Sequence, residues 1–274
     1  MFTRNTMFIA IAFALAENAA AQTNDKLKPQ LKPITVIATR INAATDEVAA
    51  TVTSLEQKEI KNRLPSDTTD LFKDEPDIAV ARDLRRFGST RVNIRGVEDN
   101  RVTQMVDGVR LPDFYNSGGP TNFTMNASMG SSLAFLKRVE ILRGPASSLY
   151  GSDAIGGVVG YLTLDASDLL APNQAHALQF QSSYSGANHG KSNHLIGAWR
   201  AENIEALLGF SHTKSAELDN RGDLNIVGIT RTAPNPQDTL DRGLLAKLAY
   251  SPASGNKLVL ALEARKQDSE VTIA

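Results

Sequence analysis

Beyond Leu170 the chain sets an apolar side chain on every second residue, and that period leaves little besides β-strands with one apolar face. Leu178, Phe180 and Tyr184 alternate with Gln179, Gln181 and Ser183, and Leu195, Gly197 and Trp199 alternate with His194, Ala198 and Arg200. Ala206, Leu208 and Phe210 share one face, as do Leu244, Ala246, Leu248 and Tyr250, and then Leu258, Leu260 and Leu262. Side chains two apart in a strand point the same way, so residues 170–274 are expected to form about five antiparallel strands. Asn188-His189-Gly190 and residues 252–256 have the composition of tight turns, whereas residues 217–241 form a long polar loop. Short turns at one end and a long loop at the other suit the first strands of a transmembrane barrel, apolar side to lipid. A soluble antiparallel sandwich alternates in the same way, and periodicity leaves both open.

No apolar run approaches the roughly 20 residues of a membrane-spanning helix, so any membrane contact has to be made by strands. With 274 residues the chain has room for one large or two ordinary domains, and a net charge of -1 gives no footprint for nucleic acid. Cysteine is absent, which removes disulfides, thiolate nucleophiles and thiolate metal sites. Residues 1–21 read as a signal peptide: Arg4 supplies the positive start, residues 7–15 the apolar stretch, and Ala19-Ala20-Ala21 a small-residue cleavage site before Gln22. Residues 22–33 carry Lys26, Lys28, Lys32, Pro29 and Pro33 and cannot bury enough surface to fold alone. Ile34, Thr35, Val36, Ile37 and Ala38 then form a β-prone run with no strand partner nearby. Such a run on a polar tether suits addition to another protein's sheet edge, or serves as an ordinary first strand. Residues 22–47 together read as this segment and a flexible linker.

Residues 48–165 read as a compact α+β unit, a small mixed sheet with short helices. A strand is expected over residues 51–55 and a helix over 56–63, with Pro65-Ser66-Asp67 offering a cap for another helix through Lys73. Residues 78–81 and 91–94 are strand-like. Asp107-Gly108, between residues 103–106 and 109–111, is a type I′ hairpin signal, because both turn positions need positive φ. Residues 113–130, rich in Asn, Gly, Ser and Thr, are too long for a bland connection, and such loops tend to bind something. A strand over 136–142, a short helix opened by Gly144-Pro145 and closed by Gly151, and a strand over 158–164 complete the unit.

Catalytic signals are weak. The glycines at 156, 157 and 160 do not make GxGxxG, and Ser147 and Ser148 lack a GxSxG context or a nearby histidine. His176, His189, His194 and His212 show no metal-ligand spacing, and Asp74, Glu75 and Asp77 flank Pro76, which favours a solvated loop over a cation site. No enzyme, catalytic residue or protein-bound metal is expected.

Ile94-Arg95-Gly96-Val97, then Asn100-Arg101-Val102, then Val106-Asp107-Gly108-Val109 resemble the first plug signature of the TonB-dependent outer-membrane receptors. Val139-Glu140-Ile141-Leu142-Arg143-Gly144-Pro145, followed by Leu149-Tyr150-Gly151-Ser152-Asp153-Ala154-Ile155-Gly156-Gly157, resembles the second. Each piece alone is common, and their order and spacing carry the resemblance across residues 34–165. Within the family the wording is closest to heme and hemoglobin receptors, through Phe135-Leu136-Lys137-Arg138-Val139-Glu140 and Gly160-Tyr161-Leu162-Thr163.

The resemblance implies a 22-strand outer-membrane barrel closed by the plug, of which residues 170–274 supply the first strands of an incomplete barrel. It also implies that a TonB-type protein pulls on Ile34, Thr35, Val36, Ile37 and Ala38 as the TonB box. Arg95, Arg143 and Glu140 are implied as plug–barrel contacts. The two arginines face wall glutamates in the family, and both are expected to lack carboxylate partners in this chain. Residues 111–129 would meet ligand, with Tyr115, Phe114, Asn116 and Arg110 as candidates. The transported ligand is heme, hemoglobin-derived iron or a ferric chelate, and no cofactor is bound permanently. Heme receptors often carry a plug histidine as axial ligand, and here the four histidines all follow the plug. Tyr115 could ligate ferric iron as a phenolate, or simply pack on the wall, so ferric-siderophore uptake is the alternative. A non-transporting periplasmic or surface binding module is the rival from another class. The chain is expected to be a fragment unable to transport by itself.

Overall fold

The computed structural model describes residues 34–35, 43–44, 51–83, 88–112, 131–252 and 255–272. Residues 1–21, expected to be a signal peptide, most of the expected linker, Val36, Ile37, Ala38 and the loop bearing Phe114, Tyr115 and Asn116 lie outside the described residues.

Two sheets dominate. The first is mixed and five-stranded, built from β3 (Thr51–Glu56), β8 (Leu136–Arg143), β9 (Gly157–Thr163), β6 (Val102–Val106) and β7 (Val109–Arg110) in that order across the sheet. Only the β6–β9 pair is parallel. β8 and β9 lie in its interior with both faces covered; β9 is accordingly almost wholly apolar, whereas β8 carries Lys137, Arg138, Glu140 and Arg143 among its apolar residues. On one face Leu55, Val139, Ile141, Val159 and Tyr161 pack with Ile60 of α1 (Gln57–Arg63) and Leu71 and Phe72 of α2 (Thr68–Phe72). On the other, Met105, Leu142, Ala146, Ala154 and Val158 form a smaller cluster. A separate hairpin of β4 (Ile78–Asp83) and β5 (Gly88–Ile94) adds Val92 and Ile94 to the first core.

Local signals act where chemistry demands them. Asp67 caps α2 by accepting from Asp70 N at 2.9 Å. Asp107 and Gly108 adopt φ of 47° and 82°, the left-handed pair that a two-residue hairpin requires. Two expectations need correction. Pro145 does not open the following helix, α3 (Ser147–Tyr150): the Ala146 carbonyl accepts from Leu149 N and Tyr150 N, so the first turn begins after it. Glu56 ends β3, pairing with Arg138, instead of starting α1.

The second sheet runs β10 (His176–Ser185), β11 (Gly190–Ala201), β12 (Ile204–Ala216), β13 (Gln237–Tyr250) and β14 (Leu258–Val271), antiparallel in sequence order and not closed. Its register aligns the alternation into rows. Phe180, Leu195, Phe210 and Leu244 are successive partners on one face, as are Trp199, Ala206, Leu248 and Leu260. That face leaves Leu178, Phe180, Leu208, Phe210, Leu260 and Leu262 exposed. The strands outrun the apolar rows: β13 begins at Gln237, so the long loop is residues 217–236 and not 217–241. Residues 237–241 extend the ladder because they stay in register with β14 up to Val271. Among the described residues no helix is long and apolar enough to cross a membrane, which leaves crossing by strands untouched.

The opposite face of this sheet meets the first unit. Phe135, Leu164, Ala166 and Leu170 share one buried cluster with Ile196, Ala198, Leu207 and Leu245 of β11, β12 and β13. The short helix α4 (Ala166–Leu169), closed by a reciprocal Asp165–Asp168 capping box, leads from β9 toward β10.

Candidate functional site

The sequence features converge on the interface between the mixed sheet and the five antiparallel strands, and on the acidic turn at residues 74–77. At that turn Glu75 is buried and takes two guanidinium groups, Arg63 at 2.9 Å and Arg143 at 3.5 Å. Arg143 also donates from Nε to the Pro76 carbonyl at 3.1 Å and from Nη1 to Thr53 Oγ1, so one side chain ties β8 to β3 and to the turn. Arg63 completes the group by donating to the Leu71 carbonyl and to Glu59. Arg95, itself at φ 52°, pairs through Nε with Asp77 at 3.0 Å. The expectation that Arg95 and Arg143 lack carboxylate partners is therefore wrong. The reading of this turn as a solvated loop holds for the exposed Asp74 and Asp77 and fails for Glu75, which is buried beneath Arg63 and Arg143. Glu140 is fully buried on β8, 2.8 Å from Arg138 Nη2. All three residues expected at the barrel wall pair with neighbours in their own unit.

Other residues meet the wall. Lys247, on the inner face of β13, reaches Asp107 Oδ2 at 2.9 Å, Asp165 Oδ1 at 3.1 Å and the Thr163 carbonyl at 3.2 Å. Burial disfavours the Asp165 carboxylate, yet Lys247 and Lys137 beside it override that and hold its pKa below the ordinary value. Lys137 is likewise disfavoured by burial, and Asp168 and Asp165 together raise its pKa above the ordinary lysine value. Ser131 donates to Glu263 and Ser132 Oγ lies 3.1 Å from Ser211 Oγ. The Phe135 ring fits where two wall strands lack side chains: a Cβ at Gly209 would lie 2.8 Å from its Cε1, and one at Gly243 would lie 3.1 Å from its Cε2. Tyr161 is buried with its hydroxyl donating to Gln104 at 3.2 Å, and burial raises its pKa against the opposing charge of Arg265.

A plug seated against the inner face of strands whose outer face is apolar is thus on view, and residues 44–158 match the family description "TonB-dependent Receptor Plug Domain". This is the plug domain of a TonB-dependent receptor. The chain is 30% identical over 202 residues to a hemin receptor of Yersinia enterocolitica, covering 74% of this chain and 28% of that protein. It is 30% identical over 243 residues to hemoglobin-binding protein A of Haemophilus influenzae, covering 83% of this chain and 23% of that protein. In fold it is similar to the FrpB iron transporter of Neisseria meningitidis, with TM-score 0.58 and 20% identity over 77% of this chain and 30% of that one. The siderophore receptor PiuA of Acinetobacter baumannii gives TM-score 0.59 and 14% identity over 83% and 28%. The chain spans about a quarter of the length of the curated relatives it matches.

Of the residues expected to meet ligand, Arg110 pairs through Nη2 with Asp153 Oδ2 at 2.6 Å, joining β7 to the segment after α3. Tyr115, Phe114 and Asn116 lie outside the described residues. Of the run at residues 34–38 expected to be the TonB box, β1 (Ile34–Thr35) pairs antiparallel with β2 (Ala43–Ala44), which corrects the expectation that this run has no strand partner nearby. Among the described residues no cluster of His, Asp or Glu could hold a metal ion. Sequence reasoning assigned no wall contact to Lys247, to Phe135 or to the two wall glycines. The only available signal was a lysine and two glycines at inward positions of otherwise regular strands.

Proposed function

We propose that the receptor carrying this chain takes up heme, or iron delivered from hemoglobin, across the outer membrane with energy supplied by a TonB-type protein. One observation carries the transport reading: the five-strand sheet turns apolar rows outward while its inner face shares a buried core with the plug. TonB-dependent receptors are outer-membrane proteins, and lipid is the solvent those outward rows suit. The heme reading rests on the hemin receptor and the hemoglobin-binding protein to which the chain is similar. In this reading residues 1–21 direct export, 22–47 carry the TonB box and its tether, 48–165 form the plug and 170–274 begin the barrel. Ile34, Thr35, Val36, Ile37 and Ala38 form the pulled strand. The Ile34–Thr35 ladder to Ala43–Ala44 is two residues long, so a partner's sheet edge can replace it at little cost. Arg110, Phe114, Tyr115 and Asn116 are the proposed plug contacts to ligand. Heme is cargo, with no resident cofactor.

Ferric-siderophore uptake is the second reading, favoured by the lack of any histidine in residues 48–165. Growth of an iron-starved, receptor-deficient Gram-negative host separates the two. Expressing the receptor is expected to restore growth on hemin or hemoglobin, and Ile37→Pro is expected to abolish growth while hemin still binds to cells. Restoration by a ferric siderophore alone would move the assignment to the second reading. Growth independent of the inner-membrane energising system would remove TonB-driven transport, and binding without growth would leave a surface binding module.

A further inference from the structure

Lys247 is out of character with its surroundings. Across the inner face of the sheet, its row reads Ala177, Ala198, Leu207, Lys247 and Ala261. A single ammonium stands among alanines and a leucine, its side chain 8% exposed. An isolated charge in such a place is costly, and every acceptor found for it belongs to the plug. Its Nζ donates to Asp165 Oδ1 and to the Thr163 carbonyl and forms an ion pair with Asp107 Oδ2 at 2.9 Å. Asp107 is in turn fixed by Thr163, whose N–H donates at 2.8 Å and whose hydroxyl donates to the other carboxylate oxygen. Asp165 caps α4 and is held from its other side by Lys137 at 3.3 Å. Lys247 therefore joins the wall to two separate plug parts, the turn of the β6–β7 hairpin and the start of the helix leading to the first wall strand.

We propose that Lys247 is the positioning residue that latches the plug to the wall, a wall cation clamping the plug carboxylates Asp107 and Asp165. This rests on the plug-in-wall reading and adds a residue to it. The polarity is the reverse of the plug arginine and wall glutamate that the sequence resemblance implied. Removing the ammonium leaves two plug carboxylates against an apolar wall row, Asp107 without its cation and Asp165 with Lys137 alone, and the cost of desolvating them there weakens the seat at that edge. An arginine at the same position keeps the charge and enough donors to hold both acids.

The test uses the intact receptor carrying this chain. This chain contributes no cysteine, so with any cysteine elsewhere in the receptor replaced by serine, Ser132→Cys with Ser211→Cys gives a reporter disulfide across the seat, at positions whose hydroxyl oxygens are 3.1 Å apart. The reporter pair is expected to cross-link readily in outer membranes. Adding Lys247→Met is expected to lower cross-linking several-fold and to raise cell sensitivity to a glycopeptide antibiotic too bulky for the outer membrane, in cells lacking the energising partner. Lys247→Arg is expected to restore both. Unchanged cross-linking and unchanged antibiotic sensitivity in a Lys247→Met receptor that accumulates like the parent would overturn the latch. Should Lys247→Met fail to accumulate, Asp165→Asn is read on the same two arms, with the same outcomes for and against. Neither readout needs the ligand, so failed growth on hemin refutes the uptake reading and leaves this one standing.

Discussion

Glu75 shows how much one side chain can organise. Its carboxylate is 6% exposed and is shared by Arg63 and Arg143, so burial is compensated from two sides. Arg143→Met leaves Glu75 with Arg63 alone and removes the donors to Thr53 and Pro76. A loss of about 2–3 kcal/mol in plug stability is expected from chemical denaturation. Lysine at 143 should recover little, since one ammonium cannot span acceptors that a guanidinium reaches in a fork. The seat of Phe135 makes the opposite test. Gly209→Ala puts a methyl 2.8 Å from a rigid ring, and overpacking of this kind typically costs about 1–3 kcal/mol, read as a lower unfolding midpoint. Asp165 carries the pH dependence. Its folded pKa lies below its ordinary value of 3.8, so its contribution is fully present above that value and is lost as pH falls through the folded one. Lys137 has the reverse sign: its contribution is present below 10.5 and is lost as pH rises through its raised folded value. Thermal unfolding midpoints should therefore fall at both extremes, and Asp165→Asn should flatten the acid limb.

At the scale of elements, the hairpin at Asp107-Gly108 joins local and tertiary demands. Gly108 sits at φ 82° with open space where a Cβ would go, so Gly108→Ala is strained by the backbone alone, by about 1 kcal/mol. Asp107→Asn keeps the turn but weakens the contact to Lys247, which separates turn propensity from the wall contact in a stability measurement. The hairpin, the α2 cap and the strand alternation were legible in the sequence because each rests on residues adjacent in the chain. The start of α3 was not, since Gly144-Pro145 only permits a helix and the Ala146 carbonyl decides where it begins. The end of α1 falls at Arg63 as expected, although Leu64 takes φ 46° where sequence rules look for glycine, and only its start is displaced, because Glu56 ends β3.

For the whole molecule, the question is which solvent the outer rows face. Leu208 lies in the row Leu178, Gly197, Leu208, Ala246 and Leu262, and is 47% exposed. In a bilayer Leu208→Arg is expected to cost about 2–4 kcal/mol near the midplane, whereas on a water-facing sheet it would change stability by under about 0.5 kcal/mol. Unfolding measured in lipid vesicles distinguishes the two, and a neutral result would return the sheet to the soluble sandwich. The inner face shows why the plug stays: an apolar cluster at Phe135, Leu164, Ile196, Leu207 and Leu245 is bordered by the Lys247 contacts and the Ser132–Ser211 pair.

The amino-acid order alone determined the period-two strands, their apolar face, the plug elements and the family signatures, because periodicity and turn chemistry act over a few neighbouring residues. Tertiary structure alone decided the partners. Glu75 meets Arg143 across 68 positions and Lys247 meets Asp165 across 82. Whether an arginine on the plug turns to the wall or to its own unit depends on which acid the folded backbone brings within reach, and no local pattern encodes that distance.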